Sequence, residues 1–455
     1  MRKILLSLFL SFFVLTLFGQ QDSLLRNFKF RNINYRAITM NVGAGSQFYR
    51  TSFLAGKNES HSSSGSGAVT YYNLKSTDRI LFEMTGSLNT GFGFGKSSNT
   101  SDEYKNHGLS FAPSLNLLNK WFSGNFFIEM GANVSINYTD SKNTYTTASS
   151  VHENESVGQS AAITAGIGKG RLENITDMQN ALWLNKALEK EGRLSRSLSA
   201  GELNGLGRAV TKANNTRVLD ARRRTQYILE TIDDYFQQRE LISKTDIKYF
   251  SNLNDIAFFA LNDPRLSGTE MFIRLTPSIS NGREESTQKP PMFENKTKST
   301  NKSVHASVGL NEYIPLSLQH QNNFGFALKL DYFSHHYNQK YFTSGVLTSE
   351  TDTKPDLRQA SLTAFFEHAI YPNTRTLVSI KLDSETGYQD VEGNYSFFGK
   401  ATLAGSLNYF ISHRTRLNCT LGGFYLNNVH ADDNYLTLLP RTLQFFANAE
   451  LQVSL

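Results

Sequence analysis

The sequence predicts a membrane all-β protein: an antiparallel transmembrane β-barrel of about 14 strands (12–16), interrupted by an inserted α-helical domain. Three observations carry this expectation. Apolar residues recur at every second position over stretches of about 10–14 residues. The links between these stretches alternate between short and long. One block of nearly a hundred residues drops the two-residue period for a helical one.

Composition agrees. Among 455 residues only 19% are charged, while 12% are aromatic, with 33 Phe, 20 Tyr, 32 Gly and 9 Pro. Mean hydropathy is −0.37, and the one long apolar run is Ile4–Phe18, so a polytopic helical membrane protein is excluded. Few charges and many aromatics disfavour a cytosolic enzyme or a disordered chain and fit apolar residues spread thinly along strands. The net charge of +6 is scattered and no nucleic-acid module is present, so no nucleic-acid partner is expected. The single Cys419 excludes a disulfide framework within one chain and reads as a small strand residue.

Arg2 and Lys3, the apolar Ile4–Phe18 and then Gly19-Gln20-Gln21 have the layout of a secretory signal peptide over residues 1–20, cleaved near Gly19 or Gln20. Residues 21–36 follow as an N-terminal periplasmic segment. Residues 37–170 and 268–455 form the two parts of the barrel. In the cleanest stretch Phe126, Ile128, Met130, Ala132, Val134, Ile136 and Tyr138 share one face, and Phe127, Glu129, Gly131 and Asn133 the other. Leu443–Leu455 repeats the pattern. Strands this long suit a tilted membrane crossing, which needs about 9–11 residues.

Short links are expected near Lys75–Arg79, Leu118–Gly124, Tyr313–Asn322, Tyr371–Thr376 and Ile411–Thr415. Long polar links fall near Gly56–Gly67, Gly95–His107, Thr139–Val157, Asn281–Lys302, His336–Asp356, Asp383–Gly393 and Asn428–Pro440. This asymmetry puts both termini on the short-turn side. Trp121, Phe122, Tyr313, Tyr371, Tyr409 and Phe410 adjoin the short turns, as an interfacial aromatic girdle does.

The insertion, residues 171–267, reads as four helices. Thr176-Asp-Met-Gln179 and Ser199-Ala-Gly-Glu202 are capping-box patterns opening the first two, and Arg217–Leu241 and Thr245–Leu261 hold the others. The block replaces a turn between the sixth and seventh strands, so it hangs in the periplasm or folds back as a plug.

Taken together, the leader, the long alternating strands, the link asymmetry and the final strand resemble the outer-membrane β-barrel proteins of diderm bacteria. The likeness is one of class and covers roughly three hundred residues outside the insertion. It implies an integral outer-membrane location after leader cleavage, with outer-membrane lipids as surroundings. It also implies a barrel-assembly machinery that reads the last strand. Leu451, Val453 and Leu455 match that pattern, with Leu455 where the class usually ends in an aromatic.

Alternation points Glu83, Glu129, Arg274, Lys329, Asp331, Glu367, Lys381, Lys400, Arg416 and Glu450 into the lumen, since exposing Lys or Arg to lipid at the midplane costs about 2–4 kcal/mol. They either line an aqueous path or pair across the barrel and close it. His335 and His336 are neighbours on one strand and point to opposite faces, which disfavours joint chelation. His107, His152, His305 and His430 show no spacing to a nucleophile, so no enzyme activity, cofactor or metal is expected. Arg217, Arg222, Arg223 and Arg224 form the densest basic run. They read as a solvated helix or as a surface docking an acidic periplasmic protein or an anionic glycan. Gly166, Gly168 and Gly170 are not a dinucleotide motif and read as an exit from the strand. The expected function is passage or export of a solute or polymer, with the helical domain gating it or coupling it to a periplasmic partner. The alternative is a non-conducting barrel that anchors that domain or displays surface loops as an adhesion or assembly scaffold.

Overall fold

The structure, a computed structural model, describes residues 23–453 apart from 30, 32, 54–55, 99–102, 146–149, 217–220, 260–263, 290–291, 392, 413–414, 433–434 and 439–441. The expected signal peptide, Arg217 and Leu455 lie outside the described residues.

Chain order begins with α1 (Ser23–Asn27), then β1 (Ile33–Phe53), β2 (Gly56–Ser76), β3 (Ile80–Ser98), β4 (Glu103–Ser123), β5 (Phe126–Tyr145) and β6 (Ser150–Gly170). A two-residue β7 (Glu173–Asn174) leads into α2 (Thr176–Lys190), α3 (Ala200–Asn215), α4 (Ala221–Gln237) and α5 (Ile247–Phe259). The sheet resumes with β8 (Leu266–Lys289), β9 (Phe293–Pro315), β10 (His320–Thr343), the short β11 (Val346–Thr353), β12 (Asp356–Asn373), β13 (Thr376–Val391), β14 (Asn394–Ser412), β15 (Thr415–Asp432), the short β16 (Tyr435–Leu438) and β17 (Thr442–Val453). Fourteen of these strands have 12 or more residues. They pair antiparallel with their neighbours along the chain, and β6 pairs directly with β8 across the insertion. No pairing of β1 with β17 is among the described ladders, and most of both strands is exposed on both faces.

The two-residue period separates two faces sharply. On β5, Phe126, Ile128 and Met130 are 63%, 58% and 53% exposed, while Phe127 and Glu129 between them are each 3% exposed. The apolar face continues with Leu109 and Phe111 on β4, Ile163 and Ile167 on β6, Met271, Ile273 and Leu275 on β8, and Phe326, Leu328 and Leu330 on β10. A globular protein does not leave so wide an apolar surface uncovered.

The long polar links are a correction. Most of their residues extend the strands. β1 and β2 stay paired from Ile33↔Ser76 up to Phe53↔Gly56, and β5 and β6 from Phe126↔Lys169 up to Tyr145↔Ser150. A 21-residue strand such as β4 rises about 70 Å along its own axis. The apolar run Phe126–Ile136 covers only about half of β5. Ser, Thr and Asn in the remaining half carry no apolar stripe, yet their backbone groups still have ladder partners, so the hairpins keep zipping beyond the band.

Where the chain leaves and re-enters the sheet, two glycines take positive φ: Gly170 at 94° and Gly268 at 118°. A Cβ at either would meet a carbonyl of the other crossing segment, Thr269 O at 2.0 Å and Arg171 O at 2.5 Å. Only glycine lets these segments cross so closely.

The helices form a core of their own. Leu184 and Leu188 of α2, Leu206 and Val210 of α3, Ile228, Ile232 and Phe236 of α4, and Tyr249 and Leu253 of α5 are buried together. A second cluster joins Leu25 and Phe28 to Ile175, Met178 and Leu182. At Ser199 the capping box forms, its hydroxyl accepting from Glu202 N while Glu202 accepts from Ser199 N. At Thr176 it does not. The N-cap is Ile175, and the Thr176 hydroxyl accepts from Arg265 N at 2.8 Å instead.

Bonds from Arg196 and from Ser199 hold the Glu202 carboxyl well below the usual glutamate range. A carboxyl depressed in the folded state stabilises above its unfolded pKa, and that stability is lost as pH falls. Acid should therefore loosen α3, and Glu202→Gln should remove part of that sensitivity. Ser199→Ala should cost about 1 kcal/mol, read as denaturant-induced loss of helical circular dichroism in detergent.

Candidate functional site

Charge on the polar face gathers first where β4, β5, β6 and β8 approach the short turns. Glu129 on β5 faces Gly166 on β6, and Gly166 faces Arg274 on β8. With no side chain between them, Arg274 Nε and Nη2 donate to Glu129 Oε1 and Oε2 at 2.8 and 3.0 Å. Arg274 Nη2 also reaches Glu270 Oε1 at 2.9 Å, and Lys120 Nζ lies 2.7 Å from Glu270 Oε2 and 3.3 Å from Glu129 Oε2. Two carboxylates and two cations thus balance in a buried group. Aromatic rings wall it: Lys120 sits 4.8 Å from the Phe127 ring and Arg274 3.8 Å from that of Phe272. Phe127 fits because Gly168 stands opposite, where a Cβ would meet the ring at 2.3 Å and Met271 O at 2.2 Å. Gly309 makes the same room for Phe272. Gly166 and Gly168 are therefore spaces for neighbours, and only Gly170 serves the strand exit.

The second gathering runs over β9, β10, β12, β13 and β14. Lys381 pairs with Asp383 at 3.0 Å and Lys400 with Glu385 at 2.5 Å. Lys329, Asp383, Glu385 and Lys400 line a cavity of about 280 Å³ with Phe365 and Thr402. Glu367 faces Lys381 in register and accepts from Asn323 Nδ2 at 2.9 Å. Asp331 meets His305 Nδ1 at 2.7 Å. The remaining candidates stand apart: Glu83 bonds Tyr72, Arg416 lies over the Phe410 ring at 5.4 Å, and Glu450 is exposed on β17 opposite Asn418.

Sequence reasoning missed Lys120 and Glu270, because one falls in an expected turn and the other beside the insertion. Parity could have found Lys120, which shares a face with Phe122. Of the six aromatics expected in a girdle, Trp121 and Tyr409 are exposed. Phe122, Tyr371 and Phe410 are buried, and Tyr313 is half-buried with its ring 6.4 Å from that of Phe365. Consecutive strand residues face opposite ways, so Trp121-Phe122 and Tyr409-Phe410 cannot both face outward.

The helical domain meets the sheet at the short turns. Arg265, 1% exposed, donates through Nη1 to Leu318 O at 2.8 Å, through Nη2 to Ser317 O at 2.7 Å and His320 O at 3.0 Å, and through Nε to Gln321 Oε1 at 2.7 Å. It also lies over the Tyr371 ring at 4.5 Å. Arg171 bonds Thr77 O and Ser76 Oγ and covers the Phe122 ring at 4.3 Å. Arg375 in the β12–β13 turn pairs with Asp255 on α5 at 2.6 Å.

Arg223 and Arg224 are exposed on α4, and Arg222 lies in the first turn of the same helix. His335 bonds Asn301, whereas His336 bonds Asp352 at 2.7 Å, so the two rings part. Among the described residues no three His, Cys, Asp or Glu side chains converge as metal ligands do.

No family model matches the chain, and no curated protein matches it. Among solved structures it is similar to the ferric yersiniabactin uptake receptor FyuA from Yersinia pestis, at 7% identity over 93% of this chain and 72% of that one, with a TM-score of 0.34. It is also similar to the beta domain of the Bordetella autotransporter BrkA (8%, 82% and 99%, TM-score 0.27) and to OmpT, an outer membrane protein of Vibrio cholerae (7%, 91% and 97%, TM-score 0.25).

Lys120→Met leaves two buried carboxylates with one cation. Urea unfolding in detergent should show a loss of about 3–5 kcal/mol, most of it recovered in Lys120→Met/Glu270→Gln, because removing both partners leaves no uncompensated charge.

Proposed function

We propose that the sheet closes by pairing β1 with β17 into a fourteen-strand barrel of the outer membrane, that its lumen passes or exports a solute or polymer, and that the helical domain caps the periplasmic mouth as a gate. In a bilayer each unpaired backbone group costs several kcal/mol, so the two open edges have strong reason to meet. An even strand number lets them meet antiparallel. The apolar run Phe126–Ile136 is about 36 Å along the strand, which at a tilt near 45° matches a band about 25 Å tall.

One observation carries the passage reading. The ion pairs of the polar face run along the wall. Lys381–Asp383 lies within one strand, His305–Asp331 and Lys400–Glu385 join adjacent strands, and Lys120–Glu270 reaches only three strands over. Opposite walls of a fourteen-strand barrel are seven strands apart, too far for these pairs to fill the interior. Charged groups left along the wall would tune which solute passes. The scaffold alternative draws on the tall polar hairpins beyond the apolar band, which offer surface without needing a pore.

Planar-bilayer recording separates the two. Passage predicts small or rarely open channels in the full chain. Removing residues 176–259, or releasing the cap with Arg265→Ala and Arg375→Ala together, should enlarge them. A barrel closed in every form would overturn the passage reading.

A further inference from the structure

Against the expectation that no histidine is spaced to a nucleophile, one strand carries such a pair and the ladder sets an acid opposite it. Ser303 and His305 lie two residues apart on β9 and so share a face. Asp331 on β10 stands directly opposite His305. His305 Nδ1 lies 2.7 Å from Asp331 Oδ1, and Nε2 lies 3.0 Å from Ser303 Oγ. A carboxylate can only accept, so Nδ1 carries the proton and Nε2 is left to accept from the Ser303 hydroxyl. The Phe333 ring meets the imidazole edge-on at 5.1 Å and fixes its plane. Ser278 on β8, opposite Ser303, hydrogen-bonds the Ser303 oxygen. Lys329 stands on the polar row of β10, two residues from Asp331.

We propose that Ser303, His305 and Asp331 form a hydrolytic site on the polar face of the sheet, with a small carboxylic ester as substrate. Ser303 Oγ bonds to the carbonyl carbon while its proton passes to His305 Nε2. The ester C–O bond then breaks, and the departing alkoxide takes that proton and leaves as the alcohol. Water attacks the acyl-serine, gives one proton to Nε2, and releases the carboxylic acid as the proton returns to Ser303. Asp331 remains a carboxylate and acts as a positioning residue, holding the imidazole in the productive tautomer. The Ser278 hydroxyl, beside Ser303 Oγ, is the donor placed nearest the negative oxygen that develops on the carbonyl. Val304, Leu330 and Tyr332 are exposed on the other face at this level, and polar Ser334 and His336 follow. The site therefore lies at the long-link edge of the apolar band, where the His305 side chain is 39% exposed and Ser303 beneath it is buried, so a substrate reaches the serine along the imidazole. Its chemistry does not depend on whether the barrel conducts.

The test is active-site labelling of the full folded chain in detergent micelles with a fluorophosphonate, whose fluoride leaves as Ser303 Oγ bonds phosphorus, followed by mapping of the labelled peptide. The expected result is label on Ser303, absent in Ser303→Ala. His305→Ala should label at least tenfold more slowly and recover on adding imidazole, and turnover of p-nitrophenyl butyrate should follow the same order. Each variant is checked for retained folded-form electrophoretic mobility, and Ser280→Ala serves as a neighbouring-serine control. Absence of label on Ser303 in folded protein would overturn the proposal. Labelling that is unchanged by His305→Ala, or equal at Ser280, would overturn it as well.

Discussion

The structure rests on an unusual inequality between the two faces of one sheet. Side chains such as Phe126, Ile128, Met130, Ile273 and Leu328 are left open, while Phe127 and Glu129, which alternate with the first three, are shut away. At roughly 25 cal/mol per Å² of apolar area, so broad a surface is tolerable only against another apolar medium. Everything else is arranged around that requirement. Charges must turn to the other face, strands must be long enough to carry the band, and backbone groups must find partners within the sheet.

Glycine is the tool that lets the polar face work. Gly166 and Gly168 lie between larger residues on the flanking strands, so Arg274 can reach Glu129 and the Phe127 ring can lie flat across the ladder. The buried quartet then needs no water to neutralise it, because its carboxylates and cations satisfy one another at close range. Arg265 and Arg171 tie the segments flanking the helical domain to the short turns next to this patch. Arg265 has a second effect. By holding Ser317, Leu318 and His320 it fixes the β9–β10 turn, and that turn sets the register that places His305 opposite Asp331. A slip of one residue would turn every side chain of one strand to the wrong face.

Much of the fold was legible because it depends on period alone. The alternation over Phe126–Tyr138, the even run of long strands and the helical spacing of Leu184, Leu188, Ile228 and Ile232 all follow from local rules. Three features did not. Capping patterns at Thr176 and Ser199 look alike in sequence, yet only Ser199 closes its box, because a distant backbone amide at Arg265 claims the Thr176 hydroxyl. Polar stretches read as loops turned out to be mostly paired, since Ser, Thr and Asn can sit in a ladder once the hairpin below has set the register. Groupings such as Lys120 with Glu270, or His305 with Asp331, join residues 150 and 26 positions apart, and only strand pairing brings them together.

The polar upper halves of the strands carry a different consequence. No lipid presses on them, and no apolar core must be filled, so an exchange of one small polar residue for another meets little resistance there. The ladder beneath holds shape through main-chain atoms that every residue shares. Such a tower can change its outer chemistry freely while its foundations stay fixed.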